Sequence, residues 1–247
     1  MKKITYICLL LCLIGCNKTV TTTTSSSQIT FCADSAYQFV QQQVAFGPRV
    51  PGTQAHTDCA LFLLEKLSDF GAQVVLQQGN MINYAGESQD VFNVIGKYGQ
   101  SKQNGTILLC AHYDTRPWSD EEEEYEERFT PILGANDGAS GVGVLLEIAR
   151  QIGAMYADTT KQTYLPAIEI VFFDCEDMGT PNHYTGTQRE HTWCLGSQYW
   201  AKEYKQSTVN YQLSTVNCPR HRLARCGCSR SLSIYILRYI LVLSRGR

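Results

Sequence analysis

The 247-residue sequence is short of several things, and each shortage excludes a class of protein. Charge is nearly balanced, 21 basic against 23 acidic residues for a net −2, so no basic field marks a nucleic-acid partner. None of the eleven cysteines forms a CxxC pair; Cys226 and Cys228 are spaced CxC, which does not read as a zinc knuckle. Long apolar runs are missing too. Ile4 to Ile14 is too short to span a bilayer, and so is Ser231–Leu243, which also contains Arg238. The glycine-rich stretch Gly134–Gly141 lacks the lysine of a phosphate loop and carries Asp137 where an anion would bind. Acidic residues stop at Glu203, beyond which Arg220, Arg222, Arg225, Arg230, Arg238, Arg245 and Arg247 accumulate.

What is present fits one globular domain with a full core, since 44% of residues are hydrophobic. The start reads as a targeting segment. Lys2 and Lys3 precede the apolar run, which ends in Leu13-Ile14-Gly15-Cys16. That ending resembles a bacterial lipoprotein signal, implying removal of residues 1–15 and lipidation of Cys16. The mature chain is then expected outside the cytoplasm, held to the cell envelope by a lipid. Residues 16–30 are rich in Thr and Ser and suit a flexible tether. Cys8 and Cys12 fall in the leader; the remaining eight cysteines are available for disulfides in an oxidising compartment.

Hydrophobic spacing then gives the elements. Phe31, Tyr37, Val40 and Val44 predict a helix, and Phe46–Thr53 is a turn-rich loop. His56–Phe70 predicts an amphipathic helix with Leu61, Leu64, Leu67 and Phe70 on its buried face and Gly71 as its C-terminal stop. Gln73–Leu76, Asp90–Ile95 and Thr106–Cys110 read as strands, and Val142–Ile152 as a core helix. Glu121–Glu127, six glutamates around Tyr125, reads as a solvated loop. Ile168–Phe173 reads as a buried central strand that delivers Asp174, Glu176 and Asp177. Strands alternating with helices predict an α/β sheet with a substantial parallel portion.

In such sheets ligands bind beyond the carboxyl ends of the strands. His112 and Asp114 follow one strand, Asp137 precedes a helix, and Glu176 and Asp177 follow the next strand. A catalytic zinc takes about three N or O ligands and one open position. His112, Asp137 and Asp177 are of the right types, with Glu176 as a general base beside them. Singly, each has a plainer role: Asp137 could cap the helix, and Asp114 could orient His112.

His112-Tyr113-Asp114, Gly134–Gly141 and Phe172–Asp177 together resemble the M28-type zinc peptidases, a family of aminopeptidases and glutaminyl cyclases. Phe46–Thr53 and Trp193–Ala201 point to the glutaminyl-cyclase branch. The resemblance spans about residues 31–212. It implies a three-layer α/β sandwich around a mixed, mostly parallel sheet. It further implies Asp137 and Asp177 as zinc ligands, Glu176 as general acid/base, and His112 as a ligand only where a second zinc is bound. A cyclase uses one zinc and an aminopeptidase two. The implied substrates are peptides or proteins with N-terminal glutamine, handled by a monomer, or by an aminopeptidase acting on the peptide bond itself. Residues 213–247 match nothing in the family pattern, which would supply another strand and a histidine ligand. His221, among Pro219, Arg220 and Arg222, reads as a solvated residue. A frameshifted gene end accounts for such a tail. The expectation is then an incomplete sheet with an open edge, and a weakly active chain or a non-catalytic lipoprotein fragment.

Overall fold

The computed structural model describes residues 30–100, 106–158, 165–206, 212–213, 224–225, 235–236 and 241–244. The leader, Cys16, the tether and His221 lie outside these residues. The apolar run of the sequence forms strand β4, Ala167–Phe173, in which every residue but Ile168 is buried. Burial on both faces requires cover on both sides, and the helices supply it. β4 lies between β3, Thr106–His112, and β2, Ser88–Tyr98. β2 pairs in turn with β1, Gln73–Ile82, as a hairpin whose register runs from Gln73 opposite Lys97 to Ile82 opposite Ser88.

Among the described residues there are four α-helices; three cover the sheet and the first packs on the third. α1 is Ala33–Val44, α2 Gln54–Asp69, α3 Ala139–Ala157 and α4 Leu195–Gln206. Leu63 and Leu67 of α2 and Val142, Leu145, Leu146 and Ala149 of α3 pack on one face against Val94, Ile170 and Phe172. On the other face Trp200 and Ala201 of α4 meet Ile95, Leu108, Val171 and Phe173. Successive residues of β4 thus serve opposite layers, giving the expected three-layer sandwich around a mixed sheet.

Several expectations change in detail. Among the described strands only β3 and β4 pair in parallel; β1/β2 and β2/β4 are antiparallel. The reason is connectivity: α3 provides a crossover between β3 and β4, whereas β1 and β2 are joined by a short turn. The buried face of α2 is built on His56, Ala60, Leu63 and Leu67, while Leu61 is 56% exposed. Cys59 and Ala60 are small enough to let that face approach the sheet. Gly71 does end α2: at φ 79° it lets Ala72 N–H reach the Leu67 carbonyl (3.0 Å) and Gly71 N–H reach that of Ser68 (2.9 Å).

The tail also departs from expectation. β8, Leu241–Ser244, pairs antiparallel with β3, and β5, Gln212–Leu213, pairs with β8. The edge of β3 is therefore covered rather than open, because an apolar extended run from the tail satisfies its backbone groups. β6, Ala224–Arg225, and β7, Tyr235–Ile236, form a separate pair. Among the described residues, Cys32, Cys59, Cys110, Cys175 and Cys194 form no disulfide.

Candidate active site

Parallel pairing sets His112, the last residue of β3, opposite Phe173, the last of β4. The two chains then leave the sheet side by side at one edge, and Tyr113 N–H bonds the Phe173 carbonyl at 3.0 Å. Asp114, fully buried, spans the gap between them. Its Oδ1 accepts from Glu176 N–H (3.0 Å) and its Oδ2 from Asp177 N–H (3.1 Å). Its Oδ1 also stands 3.4 Å from His112 Nδ1. So Asp114 does face His112, but its hydrogen bonds gather the Glu176–Asp177 backbone.

The chain turns out of β4 at Cys175, whose φ of 52° is unusual for a residue with a side chain. The turn is held from several sides. Asp174 accepts from Cys175 N–H (2.7 Å), Phe92 N–H (2.8 Å) and His56 Nε2 (2.7 Å), and His56 stacks on Tyr113 with centroids 5.1 Å apart. Leu195 N–H reaches the Cys175 carbonyl and Cys194 N–H that of Glu176. Asp174 is therefore a buried structural carboxylate rather than a member of the site.

Asp137 comes from the loop before α3. It does not cap the helix. Gly138 occupies that position, and the Asp137 carboxylate turns to His112 Nε2 at 3.0 Å. Gly138 has φ 92°, and a Cβ there would lie 2.9 Å from the Asp114 carbonyl oxygen and 3.5 Å from the His112 ring. Only glycine lets the loop press this close.

His112, Asp137 and Asp177 each offer one ligand atom, and the three atoms lie within 4.8 Å of one another. One nitrogen and two oxygens fit zinc with a position left open. The electrostatics point the same way. Burial, helped by Asp114, Asp137 and Glu176 and opposed by His112, pushes the Asp177 carboxyl up to about 7. At His112 burial alone would disfavour charge, but Glu176, Asp114 and Asp137 outweigh it and hold the imidazolium well above its usual range. Crowded carboxylates thus hold a proton on the imidazole, and a divalent cation in its place would neutralise them more fully. Glu176 is not one of the three ligand groups, yet its charge acts on both His112 and Asp177.

A cavity of about 400 Å³ opens on Asp137 and Asp177, walled by Thr115, Trp118 and Trp193. Glu121 and Glu122 line it as well, so the acidic loop read as solvated reaches the site with its first two residues. Two arginines escaped the sequence reading. Arg49 is fully buried and donates to the carbonyls of Tyr113 (3.3 Å), Leu133 (2.5 Å) and Gly134 (2.8 Å), seating the loop before α3. Arg116 bonds Asp120 and the Asp177 carbonyl. No local pattern marks their long-range bonds, because the carbonyls of Tyr113, Leu133, Gly134 and Asp177 lie 61 to 85 residues away along the chain.

The chain is similar to several known proteins. The solved structure of Tannerella forsythia glutaminyl cyclase is 46% identical, with TM-score 0.63, over 70% of this chain and 56% of that one. A leucine aminopeptidase precursor from Bacteroides thetaiotaomicron is 49% identical, with TM-score 0.63, over 70% of this chain and 57% of that one. Aminopeptidase YwaD of Bacillus subtilis is 30% identical over 128 residues, 50% of this chain and 21% of its own length. The chain therefore spans just over half of the solved relatives and a smaller part of the curated one. The model of peptidase family M28 matches residues 93–218, which carry His112, Asp114, Asp137, Glu176 and Asp177, and the chain belongs to that family of enzymes.

Proposed function

We propose that the protein is a zinc-dependent glutaminyl cyclase, converting the N-terminal glutamine of peptides to pyroglutamate with release of ammonia. The observation that carries the reading is the division of labour at the site. Three groups of metal-ligand type cluster, while Glu176 lies outside that set and acts on His112 and Asp177 through its charge. Zinc held by Asp137 and Asp177 would polarise the side-chain amide carbonyl of the substrate. Glu176 takes one proton from the α-amine as its nitrogen bonds the amide carbon. It returns that proton to the departing nitrogen, which leaves as ammonia when the C–N bond breaks. Trp118 and Trp193 wall the cavity around the glutamine side chain.

An aminopeptidase is the second reading, favoured by the presence of His112 in the ligand cluster, where it would hold a second zinc. There Glu176 would deprotonate a water instead. Incubating the zinc-loaded chain with Gln-initiated and Leu-initiated peptides separates the two. Ammonia release from an otherwise intact peptide supports the cyclase, and a freed amino acid supports the peptidase. Neither product in a chain that also fails to bind zinc would identify a non-catalytic protein. Glu176→Gln is expected to lower kcat by about 10²–10⁴-fold; a variant as active as the parent removes Glu176 from the reaction. The leader pattern ending in Cys16 further supports a lipid-anchored envelope protein. Loss of membrane fractionation in Cys16→Ala is the expected result, and an unchanged distribution would contradict it.

A further inference from the structure

Arg116 takes no part in the chemistry above, yet it touches the backbone of one of the three ligand residues. Its Nη1 donates to the Asp177 carbonyl at 2.9 Å and to that of Gly179 at 3.4 Å. Its Nε donates to Asp120 Oδ2 at 2.8 Å, and Nη2 closes a second bond to the same oxygen. The two side chains are only 11% and 7% exposed. The Trp193 ring lies 4.7 Å from the guanidinium carbon and the Trp118 ring 5.3 Å. A cation this enclosed is costly unless paired, and a planar fork can serve a carboxylate and a carbonyl at once.

These contacts close a frame around Asp177. Its N–H is held by Asp114 and its C=O by Arg116, two residues apart in the segment that follows β3. Fixing both ends of the residue sets where its Cα–Cβ bond points, and from there a carboxylate oxygen lies within 4.8 Å of the ligand atoms of His112 and Asp137. We propose that Arg116 is a positioning residue for the metal site: it fixes the Asp177 backbone and joins it to the tryptophan wall of the cavity. The proposal rests on reading Asp177 as a ligand. A plain structural role for the Arg116–Asp120 pair would affect folding stability and leave metal affinity alone.

Zinc affinity of the whole chain, measured by competition with a chromophoric chelator alongside thermal unfolding, separates these roles. Arg116→Met keeps the apolar stem and removes every donor; zinc binding is expected to weaken about 10–100-fold, the range seen when residues supporting metal ligands are removed. Arg116→Lys is expected to recover part of the loss, since an ammonium can reach the carbonyl but not form the fork. A folded Arg116→Met chain with the parent's zinc affinity overturns the proposal, whatever its melting temperature. Should that variant not fold, Asp120→Asn keeps the arginine and weakens its anchor. A smaller loss of affinity is then expected, and unchanged affinity again overturns the proposal. Failure of the parent chain itself to bind zinc would remove the reading of Asp177 as a ligand, and this inference with it, before any variant is compared.

Discussion

Asp177 and His112 hold protons that zinc would have to displace. The Asp177 carboxyl sits at about 7 instead of its ordinary 3.8 because it is buried, with three further carboxylates around it. The sign follows from which form the fold favours. A carboxyl raised in the folded chain stabilises it fully below 3.8, and that contribution is lost as pH rises through about 7. His112, also raised, contributes fully below 6.5 and loses that contribution as pH rises through its own raised value. The metal-free chain is therefore expected to melt at lower temperature as pH climbs from 4 past 7, and Asp177→Asn to flatten that slope. Zinc inverts the dependence. Each proton displaced costs about tenfold in zinc affinity per pH unit, so binding weakens as pH falls below about 7. Chelator competition across pH 5 to 8 reads this directly, and a flat profile would mean that these two groups are not the ligands.

At the scale of elements, the site depends on how α4 begins. Gly196 N–H bonds the Asp174 carbonyl at 3.0 Å, and Asn93 holds the same corner through the Gly196 carbonyl (2.9 Å) and Asp174 N–H (3.0 Å). A Cβ at Gly196 would stand 2.1 Å from the Asp174 carbonyl oxygen and 2.6 Å from Asn93 Oδ1. Backbone cannot yield there without moving the turn that carries Glu176. Gly196→Ala is expected to destabilise by about 1–3 kcal/mol, seen as a lower urea midpoint, and to reduce turnover in whatever still folds. A variant with the parent's midpoint would mean that α4 is free to slide. The sequence announced β4 through its apolar run, and it placed His112, Asp137, Glu176 and Asp177 at element ends. Those signals are local. The Asn93–Gly196, His56–Asp174 and Arg116–Asp177 bonds join residues 61 to 118 apart, and no spacing rule reaches that far. The pairing of β2 with β4 and of β8 with β3 was hidden for the same reason, since strand order is decided by which faces find cover.

For the molecule as a whole, a net charge of −2 conceals a polarised approach to the cavity. Glu121–Glu127 is exposed and carries six carboxylates, the first two lining the cavity that reaches Asp137 and Asp177. The cations nearby do little to offset them. Arg116 is paired with Asp120, and Arg128 is turned to the carbonyls of Glu122 (2.6 Å) and Glu123 (3.5 Å). If the protein is the cyclase proposed above, a peptide entering by its N-terminus would carry its second and third residues past this negative rim. Fields of this kind raise the local concentration and association rate of cationic ligands by about tenfold or more at low salt. Peptides beginning Gln-Lys are therefore expected to show a higher kcat/KM than those beginning Gln-Glu, chiefly through KM. The preference is expected to fade toward 1 M salt, where the screening length falls to about 3 Å. Replacing Glu121 and Glu122 by glutamine together is expected to reduce the preference while leaving kcat for a Gln-Ala peptide in place. Equal efficiency for the two charged peptides at low salt would leave the acidic loop a solvated strand connection with no part in choosing substrates.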